Sequence, residues 1–156
     1  MADSVREQIM KHVQATLEGI TVENGYANTL RSVQRFRQDG QELANLPAAI
    51  LIEGGDDVDL NGPLELTSRT MTVSVVLIQQ QDTDVDAKSA SELMNSLIAD
   101  VQRAMQVDHR RGGVAIDTTE SGIGDMNVDE GQPELVQTIG YRIAYRHLRN
   151  DPTEAA

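Results

Sequence analysis

An α+β fold is what this sequence predicts: a mixed or antiparallel β-sheet of about five strands, with two helices packed on one of its faces. Three observations carry that expectation. Residues 4–18 and 86–105 place apolar side chains every three or four positions, the period of an amphipathic helix. Several other segments alternate with period two, or form short apolar runs bounded by turn residues, as strands do. With only two helices, and strands that follow one another through short turns, the pattern suggests a sheet layered against helices.

The first helix opens at Ser4, whose spacing to Glu7 is that of a capping box. Val5, Ile9, Val13 and Leu17 form its apolar stripe, widened by Met10, and Gly19 stands where a left-handed C-cap is expected. Asn24-Gly25 is a turn dipeptide. Residues 26–36 then read as a strand, with Tyr26, Asn28, Leu30, Ser32, Gln34 and Phe36 on one face, closed by the turn QDGQ. Pro47 opens an apolar run at 48–52, which reads as a central strand ending at Gly54-Gly55. Residues 56–61 read as an acidic loop.

The longest strand is expected at 64–80, with Met71, Val73, Val75 and Leu77 on one face and Thr72, Ser74, Val76 and Ile78 on the other. The second helix carries Ala90, Met94, Leu97, Val101 and Met105 as its stripe. Asp84 or Asp86 would cap its start, and Arg103 suits its C-terminal end. Arg110 and Arg111 precede Gly112-Gly113 and read as a basic hairpin tip before a short strand at 114–118. Residues 121–134, with three glycines, four acids and Pro133, read as a long mobile loop. The closing strand, 135–149, sends Ile139, Tyr141, Ile143 and Tyr145 one way; Arg142, Arg146 and Arg149 read as lining the other face. The expected domain is 1–150, and 151–156 reads as a flexible, frayed tail.

Composition narrows the function classes. The 156 residues are 39% hydrophobic and 24% charged, a globular balance. Twenty-five acidic residues against thirteen basic ones leave a net charge of −12, which should repel a phosphate backbone. The basic residues are nearly all Arg, the type enriched at protein interfaces, with Lys11 and Lys88 as the lysines. No apolar run approaches a membrane span, and the MADSVREQ start lacks the pattern of a signal peptide. Cysteine is absent, which removes disulfides, thiol nucleophiles and thiolate metal sites.

Chemistry-bearing motifs are sparse. Asp57, Asp59 and Asn61, followed by Gly62, match the start of a calcium loop, but Pro63 and Ser68 break the remainder of the pattern. The runs at 82–86 and 125–129 repeat the alternating acids without the glycine. His12, His109 and His147 are too far apart to chelate zinc by local spacing. No nucleophile elbow or phosphate-binding glycine loop occurs, so no enzyme is expected, and neither is a cofactor or a resident metal. Two features look like assembly instead. Ile123, Met126 and Val128 could dock on a neighbour and order their loop, and the arginines of the last strand could meet the acidic surface of an adjacent copy.

Taken together, the opening helix SVREQIMKHVQATLEGI, the segment GYANTLRSVQRF, the strand TMTVSVVLI, the helix SASELMNSLIADVQRAM and the closing strand TIGYRIAYRH resemble the tail terminator, or tail-completion, proteins of long-tailed bacteriophages. The resemblance spans about residues 4–148 and is one of length, order and texture. It implies copies assembled as a ring of six at the head-proximal end of the tail tube. Such a ring stops tube polymerisation and offers a docking surface to the head. The implied partners are the chain itself, the tail tube protein and a head-completion or neck protein, with DNA passing through the lumen unbound and no membrane. The implied location is the virion tail, assembled in the host cytoplasm. Two alternatives stay open: a head–tail connector or neck protein, and a small domain binding calcium or another ligand through its acidic loops.

Overall fold

The computed structural model describes residues 2–36, 45–80, 90–129 and 134–156. Helix α1 (Val5–Glu18) begins as expected, with the Glu7 amide donating to Ser4 Oγ at 3.1 Å. The return arm of the capping box is not made. The Glu7 carboxylate instead accepts both terminal nitrogens of Arg35 on strand β1, and this guanidinium holds the Glu7 pKa below the usual carboxylate range. Gly19 is right-handed (φ −79°), so the left-handed cap is not used; its amide donates back to the carbonyls of the last turn.

Strand β1 (Ser32–Arg35) is much shorter than the strand expected at 26–36. The reason is a competing acceptor. Asp100, on the second helix, accepts from the backbone amides of Ala27 (3.2 Å) and Asn28 (2.8 Å) and from Asn28 Nδ2 (2.9 Å). Those amides are spent on a carboxylate and cannot serve a sheet ladder. The turn QDGQ lies outside the described residues.

Strand β2 (Ala48–Asp59) runs straight through Gly54-Gly55, with a bulge between Glu53 and Asp56. Gly54 marks a close approach rather than an end: a Cβ there would stand 1.9 Å from Thr72 Oγ1. The expected acidic loop is therefore mostly strand. Strand β3 (Leu66–Gln80) follows antiparallel and sends Met71, Val73, Val75 and Leu77 into the core, as its alternation requires.

Helix α2 (Ala90–Val107) buries Met94, Leu97, Val101 and Met105 against the same core. Its expected caps, Asp84 and Asp86, lie outside the described residues. Arg103 does not serve its C-terminus but donates to Gly25 O at 3.1 Å and stacks 4.7 Å over the Tyr26 ring. That end is capped by Arg111, only 1% exposed, whose Nη2 donates to the carbonyls of Met105 and Asp108. The expected basic hairpin tip is thus a 3₁₀ turn (Arg111–Gly113) with one arginine buried and Arg110 exposed.

Strands β4 (Asp117–Ile123) and β5 (Asn127–Asp129) both pair antiparallel with β6 (Glu134–Leu148). The strand expected at 114–118 therefore starts later, and seven of the ten described residues of the supposed mobile loop at 121–134 are sheet. The expected frayed tail is strand β7 (Asp151–Ala155), also paired with β6 and tied to α1 by Gln8 Nε2 donating to Thr153 O at 3.1 Å.

The result is an α+β fold with a mixed sheet in the order β1-β2-β3-β6-β4, while β5 and β7 add to β6. Among the described residues, only the β1–β2 pair is parallel. Both helices lie on one face, over Met71, Val73, Val75, Ile139, Tyr141 and Ile143. Among the described residues, no α-helix lies on the opposite face.

Two predictions follow from the helix side. Asp100→Ala should cost about 3 kcal/mol in urea unfolding, because three donors lose a charged acceptor and two are backbone amides. A loss below about 0.5 kcal/mol would show that the 26–31 segment is held by other means. Burial raises the pKa of both Tyr141 and Tyr145. Their phenols keep the proton in the fold above the unfolded value of about 10. The stability this gives is complete below about pH 10 and is lost as pH rises through the folded values. Phenolate absorbance of these two rings should therefore appear at higher pH in the folded chain than in the unfolded one, and Tyr141→Phe should move alkaline unfolding to higher pH.

Candidate functional site: the helix-free sheet face

Strand parity decides what the helix-free face carries. Register places Asp57 opposite Thr70, Asp59 opposite Ser68, Thr72 opposite Arg142 and Ser68 opposite Arg146. Four of the residues singled out in the sequence, Asp57, Asp59, Arg142 and Arg146, thus share this face at one end. Asp59 and Arg146 stand two strands apart, about 10 Å, too far for a direct ion pair. Among the described residues, neither Arg142 nor Arg146 has a carboxylate within ion-pairing distance, and Arg146 Nε is buried without an acceptor.

Arg149 does not join them. It has the opposite parity and lies beyond the end of β6, where its amide donates to Glu65 O at 2.9 Å. Asn61 sits in the β2–β3 turn, and its amide donates to Asp59 Oδ1 at 3.0 Å. This is a turn-closing bond within the hairpin. Leu60 and Leu64, at the tip of the same hairpin, are 89% and 83% exposed.

The other end of the face is apolar. Phe36, Ile50, Ile52, Val76, Ile78 and Val136 line a groove of about 280 Å³. Ile50 and Ile78 are buried in it, while Ile52 is 43% and Phe36 74% exposed. An apolar groove beside unpaired guanidinium groups and exposed carboxylates has the make-up of a protein-binding surface with a charged rim.

The remaining singled-out residues lie elsewhere. Arg110 is exposed and Arg111 caps α2. Ile123 is partly exposed near the end of β4, Met126 packs against the core, and Val128 lies on β5. They do not converge with the helix-free face. The histidines are also dispersed. His12 stands 3.5 Å from Asp108 and His109 3.0 Å from Asp117, while Arg69 Nε donates to His147 Nε2 at 3.1 Å. Burial, followed by the Arg111 charge, lowers the His12 pKa. Among the described residues no three His, Asp or Glu side chains are grouped so that they could hold a metal ion.

A second cluster escaped sequence reasoning. Arg6 from α1, Arg69 from β3 and Arg149 from the β6–β7 turn line one pocket with Tyr145 and His147. Their separation along the chain leaves no local motif to read. Compared with models of known protein families and with curated proteins, the chain matches none. No helix among the described residues is long and apolar enough to cross a membrane.

An apolar residue kept for docking contributes little to folding in the isolated chain. Ile52→Ser and Leu60→Ser should each change the unfolding free energy by less than about 0.5 kcal/mol. A loss above about 1.5 kcal/mol at either position would identify it as part of the folding core instead.

Proposed function

We propose that this chain is a structural protein of a long-tailed bacteriophage, a tail terminator that closes into a ring on the head-proximal end of the tail tube. The observation that supports this reading best is the helix-free face, with an apolar groove at one end and, at the other, Arg142 and Arg146, which have no ion-pairing carboxylate among the described residues. A ring needs a head-to-tail contact in which one surface patch meets a different one on the next copy. Apolar area supplies the attraction, and the charged rim sets the register and excludes wrong partners. The order of elements in the resemblance, from an opening helix through the long strand and second helix to a long closing strand, is also the order of this fold. An acidic chain suits a lumen through which DNA must slide, since carboxylates do not grip phosphates.

In this reading the ring has six copies, the tube protein meets one rim, and a head-completion or neck protein meets the other. The role requires no catalytic residue and no cofactor.

The test uses purified tube protein. Tubes polymerised with this chain present should stop at a capped length, and light scattering should give the mass of six copies on tube ends or at high concentration. Ile52→Asp should fold normally yet weaken self-association at least about tenfold, since burying one isoleucine contributes about 1.5–3 kcal/mol. Tubes of equal length with and without the protein would contradict the terminator role.

A further inference from the structure

On the helix side of the sheet, at the end where β6 turns into β7, lies an open pocket of about 380 Å³. Its walls include Arg6, Asp56, Arg69, Tyr145, His147 and Arg149. Three arginines lining one concave site are unexpected in a chain of net charge −12.

Only one of the three is neutralised. Arg6 donates to the Asp56 carboxylate and to Gly54 O (2.6 Å), and it stands 3.5 Å from Glu53. The other oxygen of Asp56 accepts from the Tyr145 hydroxyl, so this carboxylate is spent. Arg69 and Arg149 have no carboxylate within ion-pairing distance among the described residues.

Arg69 is also held in place. The Leu148 carbonyl, 2.7 Å from His147 Nδ1, can only accept, so that nitrogen carries the proton and Nε2 takes the bond from Arg69 Nε. His147 and Tyr145 are both buried, and the rings pack at 6.4 Å between centroids. The Nε anchor leaves the two terminal nitrogens of Arg69 without a protein acceptor among the described residues. Arg149 donates through one terminal nitrogen to Leu64 O at 3.3 Å, which leaves the other free of a protein acceptor there. Ser4, the cap of α1, also lines the pocket.

We infer that this pocket is an oxyanion site, which takes one carboxylate or phosphate group between the terminal nitrogens of Arg69 and Arg149. Planar guanidinium donors match the paired oxygens of such a group, and the low-dielectric walls focus the positive field. The anion can come free in solution or as an acidic side chain of a second copy. The site stands apart from the helix-free face and does not depend on the ring reading.

Titration calorimetry of the dilute full chain with inorganic phosphate, against chloride at the same ionic strength, tests it. Saturable binding is expected, weakened about tenfold or more by Arg69→Gln and several-fold by Arg149→Gln. Arg149 is exposed, so its variant reads the site even if Arg69→Gln disturbs the sheet. Absence of saturable binding, or binding unchanged in Arg149→Gln and Arg69→Gln, overturns the site. A second arm repeats light scattering of concentrated protein with and without phosphate. Loss of self-association on adding phosphate identifies the carboxylate of a second copy as the occupant, and unchanged association identifies a free anion.

Discussion

Everything in this fold depends on how β3 divides its side chains. Met71, Val73, Val75 and Leu77 go to one side and Thr72, Ser74, Val76 and Ile78 to the other, because successive residues of a strand must point oppositely. The first set recruits both helices and is buried completely or nearly so. Among the described residues no α-helix packs on the second set. The other face of the described sheet carries Ile50, Ile52, Val76 and Ile78 at one end, of which Ile52 is 43% exposed. The functional reading starts from that asymmetry.

Long-range polar contacts then fix how the helices sit. Asp100 pulls the 26–31 segment onto α2, Arg35 bridges Glu7 of α1 to Glu53 of β2, and Arg111 closes the end of α2 from beneath. Each joins elements far apart in the chain or seals an end that local capping leaves open. Arg111 does so in a left-handed conformation (φ 51°), which costs a non-glycine residue about 1–2 kcal/mol; the bonds to the orphan carbonyls offset that cost.

Periodicity made the helices, β3, the closing strand and the faces of each readable, because burial on one side leaves a repeating mark. It failed where a contact distant in sequence took over. The amides near Asn28 look like those of a strand until Asp100 claims them, and Gly54 looks like a terminus until Thr72 is found pressed against it. The segment around Ile123 reads as a loop because glycine and acid are frequent there, yet β6 is long enough to pair with it and with 127–129. On the helix-free face, Arg142 and Arg146 were legible by parity. The groove beside them was half visible in Val76 and Ile78, but its other wall comes from β2 and Phe36. The arginine pocket draws on α1, β3 and the β6–β7 turn, and no stretch of sequence holds even two of its guanidinium groups.

The central claim is that the helix-free face is where copies meet. Hydroxyl-radical labelling of side chains, compared between dilute protein and protein assembled at high concentration or on tube ends, tests that claim directly. The account predicts that Phe36, Ile52 and Val76 become protected on assembly, while exposed residues on the outer side of α1, such as Lys11, keep their reactivity. Assembly that leaves Phe36, Ile52 and Val76 fully reactive, or that protects the outer side of α1 instead, would contradict it.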